Sequence, residues 1–291
     1  MRGHMSRGVK IFLVVLCALV VGLLISYIAT QDNPPREQIT DDTEARYRTD
    51  IIGRSVEGRD IETNTYGTGK TKVLLVGGVH GGYEWNSVLL SYEIMDYLQD
   101  HPETVPANVS VTVVPVANPD GLYQIVGKEG RFSPSDVNED LSTGTGRFNA
   151  NDVDLNRNFD CKWQAEAKWR GNDVSAGTAA FSEPEARAIR DYVLTNKPDV
   201  VVTYHSQANS VYASECENGI LPETLEIMDS YALASGYNPV STFDSYPVTG
   251  DLEGWLASMG IPAITVELSS HQSIEFERNL KGIIMLINQY K

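Results

Sequence analysis

Four apolar runs constrain this chain more than any other feature in it: residues 72–79, 109–117, 200–204 and 263–266. None alternates cleanly between apolar and polar residues, so none reads as a strand with one wet face. Such runs suit strands buried on both faces, as in sheets covered by helices on either side. Helical patterns lie between them. "EWNSVLLSYEIMDYLQD" puts Trp85, Val88, Leu89, Tyr92 and Met95 on one side. "SEPEARAIRDYVLTNKP" offers Ser182 as N-cap, Pro184 in the first turn and Glu185 at the capping-box position. "LPETLEIMDSYALASG" and "EFERNLKGIIMLINQY" complete the helices. Strands alternating with helices predict an α/β sandwich around a mixed, largely parallel sheet. Ahead of them, "DIIGRSVEGRDIETNTYG" alternates around Glu57-Gly58 and predicts a hairpin. Residues 127–180 are rich in Gly, Ser, Asn and Asp and show little periodicity. They predict a long loop of the kind that usually carries function.

The N-terminal stretch differs from the rest. Arg2, Arg7 and Lys10 precede an uncharged, mostly apolar run over residues 11–28, near the minimum for crossing a bilayer. Acidic residues follow it (Asp32, Glu37, Asp41, Asp42, Glu44), and the positive-inside rule, applied to the basic flank, predicts that the N-terminus stays inside and the rest crosses. The expected organisation is a signal-anchor over residues 1–29, a polar acidic linker over 30–47 and one domain over 48–291. That makes a single-pass cell-membrane protein with an extracytoplasmic domain. The alternative is a secreted protein whose leader is removed at the weak Ala29-Thr30 site. The formal net charge of −16 argues against a nucleic-acid partner. Outside the apolar run the cysteines are Cys161 and Cys216. An extracytoplasmic domain permits a disulfide between them; two buried free thiols are the other reading.

In open α/β sheets, ligands gather beyond the carboxyl ends of the strands. The run 72–79 is followed by His80 and then Glu84, 200–204 by His205, and 263–266 by Glu267; "NPDG" follows 109–117. If these strands are parallel neighbours, the groups share one edge. Two imidazoles and a carboxylate with an open fourth position make a catalytic zinc site, and a further carboxylate, Glu267, is available as general base. A histidine after a strand is also a common hydrogen-bonded loop residue, and the spacing H-x-x-x-E is weak by itself. His271 reads as a loop residue. The long loop adds "GRFNANDVDLNRNFDCKW", where Arg147 and Arg157 stand among four asparagines. Arginines there suit carboxylate recognition.

Taken together, "GGVHGGYEWNS", "NPDG", "GRFNANDVDLNRNF", "FSEPEA", "VVTYHSQ" and "AITVELSS" resemble, in order, the zinc carboxypeptidase family of carboxypeptidase A-like metallopeptidases. The resemblance covers residues 48–291. It implies a three-layer α/β sandwich with about eight strands and helices on both faces. It implies one Zn2+ per chain, held by His80, Glu84 and His205, with Glu267 as the base that activates water. Asp154 would orient a ligand histidine. Asn156 and Arg157 would hold the substrate's terminal carboxylate. Arg147 would polarise the scissile carbonyl, with Arg131 as the competing candidate. Tyr246, nine residues before Trp255, would close on the bound substrate. Two features depart from the family. The metal motif is one residue longer than H-x-x-E, which predicts a bulge in the turn. Asp251 and Glu253 stand where the specificity pocket is built, and acid there favours a basic or diaminopimelate leaving residue.

The expected activity is hydrolysis of the C-terminal peptide bond by a membrane-tethered metallocarboxypeptidase. An alternative substrate is the peptidoglycan stem peptide, cut as by a γ-D-glutamyl-diamino acid peptidase. A non-catalytic binding module is disfavoured because His80, Glu84, His205 and Glu267 are all present. The complete "DLNRN" signature disfavours an amidase or deacylase.

Overall fold

The computed structural model describes residues 47–137 and 144–291. The expected signal-anchor, and the linker up to residue 46, lie outside the described residues. Among the described residues, no helix is long and apolar enough to cross a membrane. In chain order the strands are β1 (Tyr47–Arg54), β2 (Asp60–Tyr66), β3 (Thr71–Val76), β4 (Val109–Val114), β5 (Glu166–Trp169), β6 (Asn172–Ser175), β7 (Val200–Ser206), β8 (Ser210–Ala213), β9 (Glu215–Cys216), β10 (Gly219–Ile220), β11 (Asn238–Val240) and β12 (Ala263–Leu268). The α-helices are α1 (Trp85–Asp100), α2 (Pro119–Val126), α3 (Pro184–Asn196), α4 (Pro222–Ser235), α5 (Leu252–Ser258) and α6 (Phe276–Gln289).

Eight strands form one sheet in the order β1-β2-β4-β3-β7-β12-β8-β11. The four unalternating runs are its centre: β4, β3, β7 and β12 are mutually parallel neighbours. The β1–β2 hairpin, and β8 on the other side, pair antiparallel with this centre. The continuous apolar character follows from the layers. Val73 and Leu75 of β3 face a core shared with α1, α4 and α6. Leu74 and Val76 face the opposite core, built with α3 and α5. Every residue of β4 and β7 is buried. This is the expected three-layer sandwich.

Three local expectations need correction. The helix α1 is buried along more than one stripe: Leu90, Ile94 and Leu98 face the sheet, while Trp85 and Val88 pack against Leu122 and Ile125 of α2. A one-sided helical wheel therefore misses the sheet-facing row. The N-cap of α3 is Glu183, not Ser182. Ser182 Oγ donates to Glu183 Oε1 and accepts from Asn158 Nδ2. Glu185 accepts the Val56 amide and the Asn149 side chain. Long-range partners thus occupy both side chains of the expected capping box. Finally, the long loop contains the β5–β6 hairpin. Its strands are short and polar, so they carry no alternating apolar signal. Cys161 and Cys216 form a disulfide, with Cα atoms 6.1 Å apart, which decides between the two readings of that pair.

Candidate active site

The carboxyl ends of β3, β7 and β12 open on one edge of the sheet, and His205 of β7 is register partner to Glu267 of β12. After β3 the chain enters a single 3-10 turn, Gly81–Glu84, and continues directly into α1. The turn absorbs the extra residue of the histidine–glutamate motif. It requires glycine at position 81, where φ is +47° and a Cβ would lie 2.7 Å from the Gly146 carbonyl oxygen.

Glu84 is thereby returned to His80. His80 Nδ1 lies 2.8 Å from Glu84 Oε1, and His205 Nδ1 lies 3.0 Å from Glu84 Oε2. The two Nδ1 atoms are 3.1 Å apart. All three residues are buried, and their ligand atoms lie within 4.8 Å of one another. Two imidazole nitrogens and a carboxylate converging on one buried point suit a divalent cation. The donor set, two His and one Glu, is that of catalytic zinc.

The outward nitrogens of both rings face carboxylates. His80 Nε2 is 3.5 Å from Asp154 Oδ1, and His205 Nε2 is 3.3 Å from Glu253 Oε1. Asp154 is fully buried and accepts from Arg147 Nε and Nη2 at 3.0 and 2.8 Å. Burial alone would raise its pKa, but Arg147, His80 and Arg157 hold the carboxyl well below the ordinary range. Those two bonds leave Arg147 Nη1 turned toward the ligands, 3.8 Å from Glu84 Oε1. The "NPDG" motif supports it: Asn118 Nδ2 donates to the Arg147 carbonyl, while its Oδ1 caps α2 through the Gly121 amide. Arg131 lies elsewhere, exposed, paired with both oxygens of Asp96 and stacked over Tyr92.

A cavity of about 740 Å³ opens onto these groups and includes Asn156, Arg157, Tyr246, Asp251, Glu253 and Glu267 in its walls. Arg157 is buried, and its Nε and Nη2 donate to the Lys168 carbonyl. Asn156 Oδ1 accepts the Leu252 amide and so ties this loop to α5. Asp251 caps α5 by accepting the Gly254 amide; Glu253 is turned toward His205. Tyr246 is half-buried and packs edge-on against Phe243. Glu267 Oε2 is buried without a hydrogen-bond partner among the described residues. Burial, and then the charge of Glu84, push the Glu267 pKa up to about 7. Burial and the Glu253 charge raise Asp251 to about 6.

Tyr83, Trp169 and Arg170, which no sequence motif singles out, also line the cavity. Arg147 lies over Trp169, with Cζ 4.5 Å from the ring centroid, and Arg170 lies 5.3 Å from the same ring. Arg170 and Gly171 form the two-residue turn of the β5–β6 hairpin, both with positive φ. The residue pair Arg-Gly between two short runs was the available signal.

Comparison with known proteins agrees with this geometry. The model of the zinc carboxypeptidase family (peptidase M14) matches residues 37–285. γ-D-Glutamyl-L-diamino acid endopeptidase 1 of Lysinibacillus sphaericus is 26% identical over 244 residues, covering 75% of this chain and 60% of the relative. Carboxypeptidase B of Helicoverpa zea is 28% identical over 246 residues, covering 74% of this chain and 56% of the relative. The chain thus spans less than two-thirds of the length of either. Among solved structures, bovine thrombin-activatable fibrinolysis inhibitor superposes with a TM-score of 0.68 at 18% identity, covering 92% of this chain and 95% of that one. The murein-tripeptide amidase MpaA of Escherichia coli O157 superposes at 0.57 with 24% identity, covering 82% and 90%. These structural likenesses show a shared fold. The family model spans most of the chain, and the chain belongs to the zinc carboxypeptidase family of metallopeptidases.

Proposed function

We propose that the domain is a metallocarboxypeptidase that removes the C-terminal residue of a peptide. The observation that carries this reading is one cavity holding a convergent His80–Glu84–His205 set, the unpartnered Glu267 oxygen and the Asn156–Arg157 pair. Zinc at such a site supplies Lewis-acid polarisation of the carbonyl and acidification of water. The chain's own residues do the rest. Asn156 and Arg157 hold the terminal carboxylate and so set which bond is presented. Glu267 takes a proton from the attacking water as its oxygen bonds to the carbonyl carbon. It then passes that proton to the leaving amine as the C–N bond breaks. Arg147, fixed by Asp154, aims Nη1 at the developing oxyanion. Tyr246 covers the leaving residue, and Asp251 at the pocket wall favours a basic or diaminopimelate side chain. The Cys161–Cys216 disulfide supports an extracytoplasmic location for the domain, on the outer side of a membrane anchor. Glu267→Gln should retain zinc and lose turnover by about 10²-fold or more. Near-normal hydrolysis by that variant would overturn the mechanism.

A second reading of the substrate is a γ-D-glutamyl-diamino acid bond. Arg170 favours it: this exposed guanidinium at the cavity wall has no carboxylate partner among the described residues. A γ-linked glutamyl residue keeps its α-carboxylate free beside the scissile bond, and Arg170 is a cation able to meet it. Purified muropeptides and basic-ended α-peptides should be compared with wild type and Arg170→Ala. No cleavage of muropeptides by wild type would remove this reading.

A further inference from the structure

Glu253 is the residue whose placement departs most from its expected role. It sits on the first turn of α5, one residue past the start, and is 4% exposed. Its Oε1 accepts the Thr203 hydroxyl hydrogen bond and lies 3.3 Å from His205 Nε2. Thr203 and His205 are two apart on β7, so the pleat points both side chains to the same face. One carboxylate oxygen therefore bridges two neighbours on a central strand. His205 Nε2 is buried and has no hydrogen-bond partner with good geometry, Glu253 included; 3.3 Å is an off-line approach. His80 is in the same position relative to Asp154. Each imidazole thus turns Nδ1 to the shared centre and Nε2 to a buried carboxylate.

We propose that Glu253 is a positioning residue for the metal centre and not a reader of the leaving side chain. Its Oε1, 3.3 Å away, is the acceptor within reach of the Nε2 proton of His205, and holding that proton there would keep the ring in the tautomer whose Nδ1 lone pair points at the ion. Thr203 holds the carboxylate in place. Asp251, whose carboxylate caps the α5 amide end, is left as the acid that faces a basic leaving residue. The proposal rests on the zinc-peptidase reading above, and it separates the two acids that look equivalent in "TGDLEGW".

The test uses the full chain and a readout independent of activity. Zinc affinity is measured by competition with a calibrated chelator for wild type, Glu253→Gln, Glu253→Ala, Asp251→Asn and Thr203→Val. The expected result is zinc binding about 10–100-fold weaker in Glu253→Ala. Glu253→Gln should recover part of this, because its amide oxygen still accepts the Nε2 proton, and it guards against misfolding of the alanine variant. Thr203→Val should fall between wild type and Glu253→Ala. Asp251→Asn should keep wild-type zinc affinity and lose kcat/KM only on basic-ended peptides. In zinc-saturated Glu253→Gln, peptides ending in arginine and in phenylalanine should lose the same factor. Unchanged zinc affinity in both Glu253 variants, or a loss confined to basic-ended peptides, would overturn the proposal. A wild-type chain that takes up no zinc in the same titration would instead overturn the underlying zinc-peptidase reading.

Discussion

Replacing both Cys161 and Cys216 with serine should destabilise the domain and loosen the Asn156–Arg157 wall of the cavity together. The bond links residues 55 apart in sequence. Closing a loop of that length removes about 14 cal/mol/K of denatured-state entropy, or about 4 kcal/mol at 25 °C. In a chain of this size each kcal/mol moves the melting temperature by about 2–4 °C, so a fall of about 8–16 °C is expected. The functional link comes from hydrogen bonds at Phe159 and Cys161. The Cys161 carbonyl accepts the Gly250 amide, and the Phe159 amide donates to the Gly250 carbonyl. This short ladder sets the segment that follows Arg157 against the start of α5, and the disulfide staples it to β9. The double variant should therefore show a raised KM for peptide substrates with a smaller change in kcat. Thermal melts under non-reducing conditions and steady-state kinetics read both effects, and wild type treated with reductant should approach the variant. A melting temperature within about 2 °C of wild type, with unchanged KM, would refute the claim that the bond organises this wall.

Further outcomes separate residues that look alike on paper. Arg147→Lys should lower kcat by about 10²–10³-fold through loss of an aimed donor, whereas Arg131→Ala, a surface pair, should change stability by less than about 1 kcal/mol and leave kcat intact. Equal kinetic losses in the two variants would contradict the placement of Arg147 in the cavity and Arg131 outside it. Gly250→Ala is strained twice: φ is +69°, and the added Cβ would sit 2.2 Å from the Arg157 carbonyl oxygen. A displaced Arg157 should raise KM roughly tenfold, equivalent to about 1.4 kcal/mol of binding; a KM at the wild-type value would show that Gly250 is not needed there. Glu275 should contribute to the acid limb of stability. Burial would raise its pKa, but the Ser269 amide and hydroxyl, Tyr237 and Arg278 outweigh burial and lower it. A depressed folded-state pKa means stabilisation that is full above the ordinary glutamate value and lost as pH falls through the folded value. Glu275→Gln should therefore flatten the stability profile across that acidic window, as measured by denaturant melts at a series of pH values.

Residue pattern reaches some parts of this molecule and not others, for physical reasons. The parallel centre of the sheet is readable because burial on both faces leaves no clean polar alternation, and β4 and β7, buried at every residue, show that directly. The metal set is readable because residue type changes abruptly where those runs end at one edge. The β5–β6 hairpin escapes detection: "EAKW" and "NDVS" bury little apolar area, and the pair is held by its turn and by Trp169 packing against Tyr83. The different placements of Asp251 and Glu253 escape for another reason. Both stand at the start of α5, and spacing along the chain gives each the same access to a specificity pocket. What separates them is how α5 docks. Trp255 packs against Phe159 and Phe181, with centroids 5.8 and 5.3 Å away, and this anchors the helix against the loop that follows Arg157. In that setting Asp251 becomes the N-cap and Glu253 points at β7, where Thr203 and His205 wait on one face of the pleat. A contact decided by the docking of a helix on a distant strand depends on aromatic partners about 70–100 residues away along the chain, Phe181 and Phe159, so no local pattern encodes it. The same packing makes the assignment testable: Trp255→Phe, which shortens the anchor, should shift the Glu253–His205 contact and weaken zinc binding in parallel with Glu253→Gln, while a loss of stability with intact zinc affinity would uncouple helix docking from the metal centre.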